Sequence, residues 1–234
     1  MDGKKWALLG FGGVLIAVLM AKTKIKTKIV DILISMDRTF GNEGGWEPET
    51  AKGQKADTGN YYKGVYYGTN YGVTAQFLVD NFQILQIPLS SFDVIKALSV
   101  KECVEIFQKT EGMRMRYDDF QNQFVADFIF DWMVHRPGTC VAFLSAKIFG
   151  IPKAAALQQG GIYSDYLIQL INSTDPAGLY NSLKYWRLWH LTNTEDYRSF
   201  RPGIYYRIMR FNDFLPSDTV VAMAKVAHKK AFGV

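Results

Sequence analysis

The chain opens on sixteen residues, Trp6 to Ala21, with no charge and no polar face. Lys4 and Lys5 precede this run, and Lys22, Lys24, Lys26 and Lys28 follow it. The run falls short of the ~20 apolar residues that span a bilayer as a helix. Three glycines (Gly10, Gly12, Gly13) and three alanines make it only moderately apolar. It resembles the apolar core of a signal peptide, but Leu19-Met20-Ala21 is a poor small-x-small cleavage site. An uncleaved signal-anchor over residues 1–25 is the preferred reading, and a cleaved signal is the alternative. A buried core helix fits less well, because nothing polar marks an outer face.

Beyond the lysines the pattern becomes periodic. Ile29, Ile32, Leu33, Met36 and Phe40 recur at helical spacing and predict a helix from Lys28 to Phe40, with Gly41 as its stop. Asn60 to Tyr67 reads as two short aromatic strands about Lys63-Gly64, a hairpin. From Ala75 the pattern is mostly helical. Thr74 is placed to cap the first of these helices, whose stripe Phe77, Leu78, Phe82 and Leu85 breaks near Pro88. Ser99 with Glu102 forms a capping box that opens a helix through Cys103, Val104 and Phe107. Phe124 to Val134 is strongly apolar and reads as central. Thr139 to Phe149 ends at Gly150, with Pro152 beyond. Asp175-Pro176 starts a helix through Leu179, Leu183 and Trp186. Ser217 caps a last helix from Asp218 to Ala231. No repeat or low-complexity tract appears after residue 30.

Charge narrows the partners little. A formal net charge of +5 suits an anionic surface such as a bacterial wall or a membrane. It suits nucleic acid as well, but no recognition helix, RNP motif or zinc-finger spacing supports that. The four lysines from Lys22 to Lys28 supply much of the excess. By the positive-inside tendency they would keep the globular part in the cytoplasm. Cys103 falls on an apolar stripe and reads as a buried free thiol, a disulfide with Cys140 being the alternative; there is no Cys-x-x-Cys. His135, His190 and His228 are too dispersed for a metal site, and neither a metal nor a cofactor is assigned. Asp118-Asp119 reads as a helix cap. Ser145 and Ser164 lack the histidine pattern of a nucleophilic triad.

Candidate chemistry gathers in one stretch. Asn42-Glu43-Gly44-Gly45-Trp46 places a lone acid between a short polar residue and two glycines. Asp57-Thr58-Gly59 follows, then Gly68-Thr69-Asn70-Tyr71-Gly72-Val73-Thr74. Cleaving a glycosidic bond needs a protonated acid for the leaving oxygen. It also needs a second polar group to hold or activate water on the opposite face of the sugar. One glutamate, one aspartate and one threonine on a Gly- and Tyr-rich segment supply those types.

This order of residues resembles the glycoside hydrolase family 108 muramidases, also described as secretion-activating proteins. Their pattern is Glu-Gly-Gly, then Asp-x-Gly, then Gly-Thr-x-x-Gly-Ile-Thr, with Val73 here in place of Ile. Phe128 to Val134 is similar to the family's Phe-Asp-x-x-Val-Asn segment, with His135 replacing Asn. Arg201 to Arg207 is similar to its closing Gly-Trp-x-x-Arg element, with Ile204 replacing Trp. The resemblance spans roughly Ile29 to Phe214. It implies a mainly α, lysozyme-like two-lobed domain with a small β-hairpin near residues 58–70. The catalytic lobe would be residues 26–115, and a peptidoglycan-binding-like helical lobe residues 116–234.

The implied activity is hydrolysis of the β-1,4 bond between N-acetylmuramic acid and N-acetylglucosamine in peptidoglycan. Glu43 would be the general acid and Asp57 the ionised partner. Thr69 would hold the water, with Thr74 as its rival for that role. Trp46, Tyr71, Thr74 and Trp132 are expected to bind substrate. By analogy with phage-type lysozymes the reaction would invert, with carboxyls roughly 6.5–9.5 Å apart. A monomer held at the inner membrane through residues 6–21 and facing the periplasm, or exported to the wall, would meet that substrate. Three alternatives stay open: a lytic transglycosylase, a non-enzymatic wall-binding or secretion-assisting protein, and membrane permeabilisation by Trp6 to Ala21.

Overall fold

A computed structural model of the chain describes residues 30–43, 46–47, 60–86, 94–194 and 201–233. The expected anchor over residues 1–25 lies outside the described residues. Among the described residues no helix is long and apolar enough to cross a membrane.

Helix α1 spans Ile32–Glu43. It starts later than the periodicity predicts, because Asp31 caps it: the Asp31 carboxylate accepts from the Leu33 amide at 2.9 Å. It also ends later. The helix runs through Gly41 to Glu43, so Glu43 is its last residue and does not lie past its end. A glycine inside a helix costs about 1 kcal/mol relative to alanine. Tertiary packing offsets this: Ile32, Met36 and Phe40 are buried, and Arg210 donates to the Gly41 carbonyl at 3.2 Å. Leu33, expected on the buried stripe, is 53% exposed. Ser35 and Thr39 are buried on this helix. The start of α1 lies so close to Gly112 that a Cβ there would fall 2.6 Å from Ile32 Cδ1.

Two small sheets follow. Strands β2 (Tyr61–Tyr62) and β3 (Val65–Tyr66) form the expected hairpin, with Tyr61 opposite Tyr66. Lys63 and Gly64 both have positive φ, +48° and +79°, as a type I′ turn requires. The second sheet is new. Strands β1 (Trp46–Glu47), β4 (Thr69–Asn70) and β5 (Val73–Thr74) lie antiparallel in the order β1-β4-β5. Its β4–β5 turn is again two residues, Tyr71 at φ +49° and Gly72 at φ +81°.

The rest is helical. Thr74 caps α2 (Ala75–Asp80), accepting from the Phe77 amide, and the stripe then breaks at Asn81 before α3 (Phe82–Leu85). After α4 (Val94–Ala97), Ser99 and Glu102 form the expected capping box on α5 (Val100–Phe107), which continues as a π-helical segment to Gly112. Asp118 and Asp119 sit within a short 3-10 turn, and Asn122 caps the next helix.

Helix α6 (Gln123–His135) is buried on every side from Val125 to Met133. Around it come α7 (Pro137–Ala142), α8 (Lys153–Ala156) and α9 (Asp165–Ser173). They are followed by α10 (Pro176–Asn193), α11 (Arg201–Arg210) and α12 (Asp218–Phe232). Asp175 and Ser217 cap α10 and α12 as expected.

Two carboxylates one turn apart give α6 its polar fastenings. Asp131 pairs with Arg187 of α10 at 2.7 Å and with Arg207 of α11 at 2.8 Å. Asp127 pairs with Arg38 of α1 at 3.2 Å. Burial alone would raise the Asp131 pKa, but the charges of Arg207 and Arg187 hold it down at about 2. The segments Phe128–Val134 and Arg201–Arg207, far apart in sequence, therefore meet through one buried ion pair. Trp132 requires a correction. It is 1% exposed, with its ring 5.6 Å from Phe143 and under the Arg187 guanidinium, so it is core packing and lines no cleft.

Candidate functional site

The predicted site residues converge in part. Glu43 ends α1, and three residues later the chain enters β1, where Trp46 lies opposite Asn70 and Glu47 opposite Thr69. The glutamate and threonine motifs thus stand on adjoining elements. Three residues of chain place the Glu43 Cα within about 11 Å of the Trp46 Cα. The side chains of Glu43 and Trp46 lie outside the described residues, as does the whole of Asp57.

Strand β4 is held from several sides. The Asn70 side chain donates to the carbonyls of Ile95 and Leu98 at 3.0 and 2.9 Å, fixing the strand to α4 and the loop after it. The Cys103 thiol lies 3.8 Å from the Asn70 carbonyl. The Tyr71 ring packs on Phe40 of α1 at 5.2 Å between centroids, and Phe40 packs on Phe107 at 5.9 Å. This aromatic stack ties the β4–β5 turn to the last turns of the helix that ends at Glu43. Tyr71 is half-buried and serves this packing, with a left-handed backbone that a non-glycine residue adopts only under constraint.

Thr69 is half-buried, and its hydroxyl donates to the Val73 carbonyl across the hairpin at 3.3 Å. With its proton so engaged, the oxygen is left as an acceptor, suited to a water that must donate. Thr74 is engaged as the cap of α2 at 3.1 Å from the Phe77 amide.

Chemistry that the sequence did not flag lies on the other side of α1. Arg38 forms a two-pronged pair with Asp213 at 2.8 and 2.7 Å. Burial raises the Asp127 pKa, against the lowering effect of its hydrogen bonds from Ser35 and Gln123. No local pattern announces these groups, because their partners come from distant parts of the chain. The signal available was Asp127 itself, one of two acids, with Asp131, inside a strongly apolar helix.

Cavities occur elsewhere. One of about 320 Å³ lies between α11 and α12, lined by Tyr205, Met209, Val221 and His228. Another of about 140 Å³ lies near Asn122 and Asn172. Neither is lined by a predicted site residue. Among the described residues no group of three or more His, Cys, Asp or Glu is placed to hold a metal ion. Cys103 and Cys140 are both buried free thiols, which corrects the disulfide alternative.

The architecture defines a mainly helical protein with a small sheet beside the helix that carries the candidate acid. Among solved structures, that of Brucella abortus SagA matches with a TM-score of 0.57, covering 82% of this chain and 95% of that one at 20% identity. At that identity the likeness shows a shared fold. No family model matches the chain, and no curated protein does.

Proposed function

We propose that the protein is a peptidoglycan hydrolase, an N-acetylmuramidase that uses Glu43 as general acid. The observation that carries this reading is the junction of α1 with the β1-β4-β5 sheet, which brings the Glu43 and Thr69 motifs onto neighbouring elements. The fold shared with Brucella abortus SagA supports it. At the last position of a helix the backbone dipole disfavours a carboxylate by about 0.3–1 kcal/mol. The protonated form needed for donation to the leaving oxygen gains accordingly. Thr69, with its proton on Val73, accepts from the attacking water. Asp57 orients that water and takes the proton it loses on attack, or offsets charge on the sugar ring, and Trp46 and Tyr71 are the residues expected to contact the glycan. Attack by external water from the face opposite Glu43 inverts the anomeric centre. The substrate is outside the cytoplasm, so residues 6–21 would hold the enzyme at the inner membrane, facing the wall, or direct its export.

The test is clearance of purified sacculi by the chain and by Glu43→Gln. A loss of at least ~100-fold with an unchanged fold is expected from removing a proton donor. Equal activity of the two proteins would refute the assignment. Anhydro-muramic ends in the digest, seen by mass spectrometry, would replace hydrolysis with a lytic transglycosylase.

A further inference from the structure

Arg38 lies five residues before Glu43 on α1, about 7.5 Å along the helix axis. Its guanidinium grips two carboxylates from different parts of the chain. Nη1 and Nη2 donate to Asp213, in the loop between α11 and α12, at 2.8 and 2.7 Å. Nη1 is also 3.2 Å from Asp127 on α6. Each acid is fixed in turn. Asp213 accepts from the Tyr180 hydroxyl of α10 at 2.9 Å. Asp127 accepts from Gln123 at 2.5 Å, from Tyr117 at 3.3 Å and from Ser35. Lys184, one turn beyond Tyr180, donates to the Phe211 carbonyl at 2.5 Å and lies within electrostatic reach of Asp213. Two acids thus face two bases.

Exposure decides how much the pairing matters. The Arg38 side chain is 34% exposed, Asp213 10% and Asp127 0%, so the acids are shielded where the arginine meets them. A planar fork suits this arrangement, and a lysine ammonium would reach one carboxylate as a point charge.

We propose that Arg38 is a positioning residue for the candidate active site: by joining Asp127 to Asp213 it fixes the last turn of α1 on the helical half and so sets where Glu43 meets the glycan. This rests on the hydrolase reading above. A rigid helix transmits a small tilt at Arg38 to its end, and a misplacement of ~1 Å can cost ~100-fold in rate.

The experiment uses the full chain with Arg38→Lys, which keeps the charge and loses the fork, and with Tyr180→Phe, which removes one hydroxyl from Asp213 and leaves the ring. Kinetics on solubilised glycan strands are read beside amide hydrogen exchange. For Arg38→Lys, kcat should fall about tenfold with KM within about twofold, as for a group that places a catalyst without holding substrate. Amides from Phe40 to Glu43 should exchange about tenfold faster, while those of α10 keep their protection. Tyr180→Phe should give the same pattern at about threefold, and it stands in should Arg38→Lys not fold.

Unchanged kcat and unchanged exchange at the end of α1 would overturn the positioning role. Faster exchange throughout the chain would overturn it too, by showing a general stabilising role. A wild-type chain inactive on glycan would sink the hydrolase reading alone, and the exchange data would still decide whether Arg38 holds that turn.

Discussion

The β-ribbon region of residues 60–74 and the central helix α6 are held in place by opposite means. The ribbon consists of two-residue strands set by two type I′ turns, with Tyr61 and Val65 exposed on it. Its geometry comes from turn residues and a few pins: Asn70, and Tyr71 on Phe40. Helix α6 has no free face from Val125 to Met133, and its two acids are gripped by arginines from three other helices. Thr69 lies in the lightly built region, while the other is buried on every side. Damage to α6 should therefore remove the fold, and with it the proposed activity, while damage to the ribbon should displace Thr69 at small cost to the fold.

Asp131→Ala is the sharpest way to break the contrast. It strands Arg187 and Arg207 without their buried partner, and a loss of about 3–5 kcal/mol is expected in denaturant unfolding. A loss below about 1 kcal/mol would mean that the pair does not anchor α6.

Acid should act on the same place. Burial, followed by the charges of Arg207 and Arg187, pushes His135 down to about 3 from an ordinary 6.5. Between those values the unfolded chain binds a proton that the folded chain refuses, so stability falls as pH drops from 6.5 toward 3. Asp131, held at about 2, contributes stability that is complete above the ordinary carboxylate range and disappears as pH falls through about 2. Thermal midpoints measured across that range should decline in two stages, and His135→Gln should flatten the first.

Gly64→Ala probes the ribbon. Open space surrounds the position, so the expected cost of about 1–2 kcal/mol comes only from a left-handed backbone at φ +79°. Local exchange in residues 61–66 should rise while α6 stays protected. Ser99→Ala removes the capping box of α5 and should cost about 1 kcal/mol, the smallest of these effects.

What was legible in the sequence follows the same division. Caps are local signals, and Thr74, Ser99, Asp175 and Ser217 each begin a helix where their spacing puts them. The Lys63-Gly64 hairpin was legible because its turn chemistry is local as well. The end of α1 was not. Gly41 reads as a stop, and the helix continues to Glu43 with packing from Phe40 and a hydrogen bond from the distant Arg210. The β1-β4-β5 sheet escaped because its strands are too short for periodicity and β1 joins β4 from far along the chain. Trp132 was misplaced because an aromatic beside a motif acid reads alike for a cleft and a core. The Asp131 and Arg38 networks join residues far apart along the chain, and periodicity carries no information on such pairs. Of the candidate site, the residue types were readable, but the packing that brings Glu43's helix beside Thr69's strand was not.

The two cysteines divide the molecule usefully. Cys103 sits behind β4, and Cys140 sits against α6, where its thiol meets the Ile129 carbonyl and the Tyr163 hydroxyl. Burial first of all pushes both thiols up, to about 11 and about 12, so neither offers thiolate to a reagent while it stays covered. Each therefore becomes alkylatable only when its own surroundings open. The wild-type chain carries a matched pair of clocks, one ticking with excursions of the sheet and the other with excursions of the helical centre.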